Sequence, residues 1–321
     1  MRRWPLIALL AALLLATPVA RGEGASGGVD HLPTPAGLEP AVHFWELVFA
    51  KYDKSQCVFH DTEDLSVIYG VKRIPGGSAR VQSRYVRHYL SLIRGALKHL
   101  ATGAKASTSL ERRIVEATAS RLRYPAYYHY AMGNVRCQRG VDLGPGRRRA
   151  HRHMGMVLRA LKERGLPSDL AYLPYLESGY NPRARSRAGA RGLWQLMPAA
   201  ARLMGLRVNR HGDLRTSPYR STRAAAHILQ DLYNKTHSWP LAITAYNYGI
   251  NGMTRAIAKW GDDYMTIRKH HRTRVFGFAA RNYYPSFLAV RNIVSGLEGE
   301  RQDNAVALDD HLTGRADRRS L

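Results

Sequence analysis

Apolar residues recur three and four positions apart over much of the chain, which is the spacing of one face of an α-helix. Over residues 81–100 the pattern is continuous and predicts one long amphipathic helix, with apolar positions Val81, Tyr85, Tyr89, Leu92, Ile93, Ala96, Leu97 and Leu100. Thr108 and Glu111 form a capping-box pattern, which predicts that another helix begins there. A further helical segment is expected over residues 127–137, whereas residues 67–71 allow a short extended piece. The pattern predicts an all-α protein.

The second half of the chain continues this pattern. One helix is predicted to begin at Ser221, which is a favourable N-cap residue, and its apolar positions are Ala225, Ile228, Leu229, Leu232 and Tyr233. Trp239 and Pro240 begin the next helix, and Gly249 ends it. The last helix is expected over residues 281–294.

A short helix in the middle of the chain carries an isolated carboxylate. Glu177 follows a run of apolar and aromatic residues, and Gly179 and Pro182 end the predicted helix just after it. A carboxylate at a helix C-terminus lies at the negative end of the helix dipole, and apolar neighbours remove its hydration. Both effects disfavour the charged form, so Glu177 is expected to hold its proton near neutral pH. A carboxylic acid of this kind is suited to general acid catalysis.

The length of 321 residues allows two domains and a sizeable core. The boundary between the two is placed in a turn-forming and basic run at residues 144–149, where the Arg cluster is either a solvated face or a binding patch. The expected segments are a signal peptide at 1–22, a flexible leader at 23–39, an N-terminal helical accessory region at 40–150, a second helical domain at 151–296 and a disordered tail at 297–321.

The chain is strongly basic. It has 49 Lys and Arg residues against 24 Asp and Glu residues, a formal net charge of +25. Such a charge favours an anionic partner, which includes nucleic acid, a membrane surface and an acidic polymer. The charge alone does not choose among them.

The first residues predict export. Arg2 and Arg3 precede an apolar run at residues 6–15, and residues 20–22 offer a small-x-small cleavage site, which together are typical of a secretory signal peptide. The alternative is an uncleaved membrane anchor, but the run is shorter than the roughly 20 residues that a span needs. The first cysteine is Cys57, so no lipid anchor is expected. We therefore predict a periplasmic protein without a membrane span after signal cleavage.

Several ordered motifs resemble those of one enzyme family. The motifs are Leu176-Glu177-Ser178, then residues 192–198 (GLWQLMP), then residues 245–249 (AYNYG), with further matches at residues 135–140 and 281–283. Together they resemble the soluble-type lytic transglycosylases, which are bacterial peptidoglycan-cleaving enzymes. The resemblance implies a lysozyme-like catalytic domain at residues 151–296, a mainly helical accessory region before it, and peptidoglycan glycan strands as the substrate.

The resemblance also implies roles for individual residues. Glu177 matches the single catalytic acid and base of the family, and Ser178 matches a residue that hydrogen-bonds near it. The remaining matched positions bind or line the sugar; they are Gln195, Tyr246, Asn247 and Tyr283. Ser178 has an alternative reading as an ordinary helix-end hydroxyl, and core packing is the favoured role for Trp194. Where the family tends to have an acidic residue, about four positions before Tyr283, this chain has Ala279.

A single carboxylate implies a particular mechanism, because ordinary glycosidases use two. Other carboxylates are available, but none lies in a matched motif; they are Asp213, Asp231, Asp262 and Asp263. In the family, the 2-acetamido group of the sugar attacks its own anomeric carbon. The same Glu then takes the proton of the 6-hydroxyl, which closes a 1,6-anhydro ring without consuming water.

Other chemistries find little support in the chain. The histidines lack HExxH spacing and the cysteines lack CxxC spacing, so no metal site and no cofactor are expected. In an exported protein, Cys57 and Cys137 either form a disulfide or remain as buried thiols.

Three alternatives to a lytic transglycosylase remain. The first is a lysozyme-type hydrolase, in which water attacks instead of the 6-hydroxyl. The second is a wall-binding protein without catalysis, which the retained motif residues disfavour. The third is a nucleic-acid-binding module, which the export signal and the lack of a nucleic-acid motif disfavour. We therefore expect no nucleic-acid partner, and we expect a monomer.

Overall fold

The computed structural model describes residues 31–119 and 125–296, and this part of the chain is mainly helical, which confirms the predicted fold class. The predicted signal peptide at 1–22 and the predicted tail at 297–321 lie outside the described residues. The division into domains stays a prediction. The N-terminal helices are α1 (Glu39–Glu46), α2 (Ala79–Leu100), α3 (Ser109–Ala117), α4 (Pro125–Ala131) and α5 (Gly144–Ala150).

The N-terminal region also contains a three-stranded antiparallel sheet. Its strands are β1 (Gln56–Asp61), β2 (Ile68–Arg73) and β3 (Val135–Arg139), in the order β2-β1-β3. The prediction of a helix as far as Cys137 is wrong, because α4 ends at Ala131 and a turn through Gly133 and Asn134 leads into β3. In β3, Cys137 lies opposite Phe59 of β1. The extended piece expected at residues 67–71 overlaps β2.

The sheet and α2 share a small core of their own. The C-terminal half of α2 contributes its apolar face, with Ile93, Ala96, Leu97 and Leu100 buried against Phe59 and Tyr69. Two positions of the predicted apolar face are more exposed than the pattern predicts: Val81 near the start of α2 is 49% exposed and Leu92 is 44% exposed. The capping box of Thr108 and Glu111 is present at the start of α3, as predicted.

The second half of the chain is built from further helices around a larger core. The helices are α6 (Met154–Lys162), α7 (Leu173–Ser178), α8 (Pro198–Leu203), α9 (Pro218–Thr236), α10 (Trp239–Tyr248), α11 (Ile250–Trp260), α12 (Tyr264–His270), α13 (Phe278–Arg281) and α14 (283–296). A short hairpin joins β4 (Val208–Asn209) to β5 (Gly212–Asp213). The helix predicted to begin at Ser221 begins earlier, because Ser217 is the N-cap residue and accepts from the Arg220 N–H.

The larger core extends across the predicted boundary between the two halves. Phe44 and Trp45 of α1 belong to the same buried cluster as Trp194 and Phe287. The run at residues 144–149, which was predicted to be a turn, forms most of α5. The first helix of the predicted accessory region therefore packs against the second half of the chain.

The predicted flexible leader is fixed in its last part. Leu32 is buried, and its backbone N–H donates to Asp169 over 2.7 Å. Arg291 of α14 donates both to Asp169 and to the Leu32 carbonyl, and Tyr284 donates to the carbonyl of Pro33. Residues 31–38 are thus bound to the helical core, because their backbone groups satisfy buried polar partners there.

Candidate active site

Glu177 is the second-last residue of α7, a helix of six residues. Gly179 ends the helix in the left-handed conformation, with φ 56°, and its N–H donates to the Tyr175 carbonyl. Arg149 of α5 donates to the Gly179 carbonyl over 2.8 Å and so fixes the turn that follows the carboxylate. Glu177 itself is only 8% exposed. The short helix thus presents a carboxylate to the protein interior instead of to solvent.

Burial dominates the electrostatics of this carboxylate. It raises the pKa of Glu177 to about 7, because the charged form loses its hydration. The hydroxyl of Tyr283 donates a hydrogen bond to Glu177 Oε1 and opposes this increase in pKa. Tyr283 is 3% exposed, and burial raises its own pKa well above the usual value. Near neutral pH, Glu177 is therefore able both to donate and to accept a proton.

Tyr246, near the end of α10, is the second tyrosine beside Glu177. Burial raises its pKa well above the usual value, and the charge of Glu177 adds to the effect. Its hydroxyl donates to the Trp194 carbonyl over 2.8 Å. Tyr246 therefore connects α10 to the segment that carries Gln195. Asn247, the next residue of α10, is partly exposed at the same end of the helix.

The segment at residues 192–198 folds tightly against α7. Gln195 has a positive φ of 47°, and its side-chain amide donates to the carbonyls of Gly192 and Ala184. A Cβ at Gly192 would lie 1.9 Å from the Arg215 carbonyl oxygen, so only glycine fits there. The Ser178 hydroxyl donates to the Leu193 carbonyl over 2.8 Å and thereby ties α7 to this segment.

The structure brings most of the predicted site residues together. Tyr283 donates to Glu177 directly. Tyr246, Ser178 and Gln195 all donate to backbone carbonyls of residues 192–194. Trp194 is fully buried and its indole N–H donates to Thr222, which agrees with a packing role. Arg149 could not be identified as part of this site from the sequence, because its residue type gives no sign that it reaches a turn 30 residues away.

The other candidate carboxylates have separate roles. Asp213 pairs with Arg215 at 2.7 Å and with Arg191 at 3.0 Å. Asp231 pairs with His227 along α9, and Asp263 caps α12 by accepting from the Thr266 N–H. Asp262 is exposed and lines a groove of about 530 Å³ beside Trp239. The shift in the pKa of Glu177 has burial and the Tyr283 hydrogen bond as its causes.

Three further features of the described residues lie outside this site. Cys57 of β1 and Cys137 of β3 are joined by a disulfide. Within residues 31–119 and 125–296, no cluster of His, Cys, Asp and Glu has a composition able to hold a metal ion. None of the described helices combines the length and the apolar character that crossing a membrane requires.

Comparisons with known proteins agree with the site. The family described as Transglycosylase SLT domain matches residues 157–265, which include Glu177, Gln195 and Tyr246. Membrane-bound lytic murein transglycosylase D of Escherichia coli strain K12 is 38% identical over 111 residues, which are 34% of this chain and 24% of that protein. Membrane-bound lytic murein transglycosylase F of Aeromonas salmonicida is 29% identical over 160 residues, covering 41% of this chain and 31% of that protein.

Among solved structures, the lytic transglycosylase Slt of Pseudomonas aeruginosa resembles this chain with a TM-score of 0.40 and 17% identity, over 83% of this chain and 44% of that one. The chain thus spans about a quarter to a third of the length of these curated relatives. The family match covers the segment that carries Glu177. Residues 157–265 therefore form a transglycosylase SLT domain, homologous to that of membrane-bound lytic murein transglycosylase D.

Proposed function

We propose that this protein is an exported lytic transglycosylase that cleaves the β-1,4 bond between N-acetylmuramic acid and N-acetylglucosamine in peptidoglycan. The observation that carries the proposal is a buried carboxylate, Glu177, with a pKa of about 7 and a hydrogen bond from Tyr283, inside an SLT domain. The predicted signal peptide supports export. The chain has 49 basic and 24 acidic residues, and this excess of positive charge favours binding to a polymer that carries free carboxylates.

In the first step, the protonated Glu177 donates its proton to the glycosidic oxygen while the bond from that oxygen to C1 of the muramyl sugar breaks. The oxygen of the 2-acetamido group forms a bond to C1 and carries the positive charge as an oxazolinium ion. The leaving sugar departs as a neutral alcohol, and Glu177 is left as a carboxylate. The Tyr283 hydroxyl stabilises this carboxylate by its hydrogen bond.

In the second step, the Glu177 carboxylate removes the proton of the muramyl 6-hydroxyl. The 6-oxygen bonds to C1, and the acetamido oxygen leaves with its electron pair. The product has a 1,6-anhydro-muramyl end, Glu177 is protonated again, and no water is consumed. One group serves as both acid and base because its pKa lies near the working pH.

The surrounding residues are proposed to hold the sugar and the segment at 192–198. Asn247, which is partly exposed at the end of α10, offers its amide to the acetamido group or the hydroxyls. The side-chain N–H groups of Gln195 donate to the carbonyls of Ala184 and Gly192, so Gln195 offers its side-chain oxygen to the sugar. Tyr246 and Ser178 keep this segment against α7 through the carbonyls of Trp194 and Leu193.

Digestion of purified sacculi tests the proposal. The wild-type protein should release soluble muropeptides with anhydro ends, and Glu177→Gln should release them about 10²–10⁴-fold more slowly, or slower still because one group serves both steps. Asp231→Asn, at the exposed pair with His227, is the matched control and should behave like the wild type. Reducing ends would identify a hydrolase, and wall binding without release would identify a wall-binding protein; either result would overturn the proposal.

A further inference from the structure

The short helix α13 is held by side chains of the N-terminal accessory region. Phe278, its first residue, lies under the guanidinium of Arg136 from β3, 4.5 Å from the ring centroid. His60 of β1 also packs against Phe278, with ring centroids 5.5 Å apart. Both residues lie opposite each other in the sheet. The sheet therefore supports the start of a helix that belongs to the catalytic half.

The end of α13 is held by an ion pair from the same region. Glu63, just after β1, accepts two hydrogen bonds from Arg281, at 2.7 and 2.8 Å, and one from Arg272 at 2.8 Å. The Arg281 side chain is only 11% exposed. The hydrogen bond from Arg281 is the largest cause that holds the pKa of Glu63 below its usual range. A paired, bidentate and largely buried guanidinium has a fixed position.

Arg281 is two residues before Tyr283, and the connection between them is rigid. Arg268 donates to the Arg281 carbonyl and to the Asn282 side chain. Asn282 is 1% exposed, and its amide donates back to the Phe278 carbonyl. A movement of Arg281 would therefore be passed to the backbone of Tyr283, whose hydroxyl donates to Glu177.

We infer that Glu63 is a positioning residue for the active site: through Arg281 it holds Tyr283 in hydrogen-bonding contact with Glu177. The inference rests on the proposed function and adds a role for the accessory region, which supplies a residue that completes the site. Position 279 within α13 is Ala, so the acidic partner of this helix comes from a distant segment, at Glu63.

The position of Tyr283 also determines how the activity depends on pH. The titratable groups of the described chain that face Glu177 are Tyr283 from α14 and Tyr246 from α10. The Tyr283 hydrogen bond lowers the pKa of Glu177. If Tyr283 moves away, the pKa of Glu177 rises, and the alkaline limb of the activity profile moves to higher pH. A merely structural weakening would leave that limb in place.

The test measures kcat, KM and the pH profile on soluble glycan strands for the wild type and three variants. Glu63→Gln keeps the shape and removes the charge, and Arg281→Lys keeps the charge but loses the bidentate geometry. Both variants should lower kcat about 10–100-fold, since small misplacements of catalytic groups have effects of this size. Their KM should change little, and the alkaline limb of their pH profiles should move to higher pH. The control variant Asp53→Asn removes an exposed ion pair with Arg73 inside the accessory region. It should change neither kcat nor the pH profile.

A double-mutant cycle identifies the route of the effect. In a Tyr283→Phe background, Glu63→Gln should lower kcat by less than threefold, because the hydrogen bond that it supports is already gone; a threefold change is about 0.65 kcal/mol at RT near 0.59 kcal/mol. An equal loss in both backgrounds, or an unchanged pH profile in both single variants, would overturn the inference. If Glu63→Gln fails to fold, Arg281→Lys decides by the same criteria. An inactive wild-type protein would instead refute the proposed function.

Discussion

Replacing the buried acid should stabilise the protein above neutral pH, although it abolishes the proposed catalysis. The folded protein raises the pKa of Glu177 from 4.5 to about 7. Between these values the folded state binds more protons at this group than the unfolded chain does, so the free energy of unfolding falls as pH rises. The contribution is fully present below pH 4.5 and lost above pH 7. At about 1.4 kcal/mol per unit of pKa, the loss amounts to about 3 kcal/mol.

Glu177→Gln retains the shape of the side chain but does not titrate, so the variant should lack this loss. We expect the free energy of unfolding of Glu177→Gln, relative to the wild type, to rise by about 3 kcal/mol between pH 4 and pH 8.5. Urea unfolding followed by circular dichroism measures both proteins at each pH, with the slope on urea concentration checked for equality. Other titrating groups are common to both proteins and cancel in the difference.

A tyrosine variant supplies a control of the opposite sign. Tyr283→Phe removes the hydrogen bond that lowers the pKa of Glu177, so its loss of stability with rising pH should exceed that of the wild type. The difference in free energy of unfolding between Glu177→Gln and the wild type could instead stay constant from pH 4 to pH 8.5. Glu177 would then titrate as an exposed carboxylate, and its description as a buried acid would be wrong.

The other predictions concern the disulfide, the charge and Asp213. Thiol titration of the unreduced, unfolded protein should find no free thiol, and two free thiols would exclude the pairing. Reduction of the bond between Cys57 and Cys137 should destabilise the fold by roughly 4–5 kcal/mol in the chain-entropy model, since the two residues lie 80 positions apart. Sedimentation with sacculi should weaken strongly from low to high salt, because attraction by the basic excess acts over about one Debye length; equal binding would mean that the charge is incidental. Asp213→Asn should lower the free energy of unfolding by about 1–3 kcal/mol, because it leaves the buried Arg215 without its carboxylate. The variant should keep most of the catalytic activity. A loss of activity as large as that of Glu177→Gln would give Asp213 a catalytic role.

Features that depend on neighbouring residues could be predicted from the sequence. Glu177 stands at the end of a helix among apolar residues, and the structure places it there, buried, with Gly179 in the predicted terminating position. The capping box at Thr108 was equally local. The helix start at Ser217 was missed because two serines, at 217 and 221, satisfy the same capping rule, and only Ser217 precedes a proline.

Features that depend on distant partners could not be predicted in this way. β3 has only five residues, so its alternation of apolar and polar positions is too short to indicate a strand, and it is a strand because β1 offers it an edge with which to pair. The ion pair of Glu63 with Arg281 joins residues 218 positions apart, and neither residue type indicates the other. The hydrogen bond from Tyr283 to Glu177 is similarly distant; Tyr283 was expected at the site because it matches a family position, but the bond itself was not predicted.

Digestion of sacculi in heavy-oxygen water tests the central claim most directly, because it asks which oxygen ends up on C1 of the muramyl sugar. The proposed reaction closes the ring with the sugar's own 6-oxygen, so the released muramyl ends should contain no heavy oxygen and should be one water lighter than reducing ends in mass spectrometry. Glu177→Gln should yield almost none of these products. One heavy oxygen at each newly formed muramyl end would show that water attacks, and the protein would then be a hydrolase.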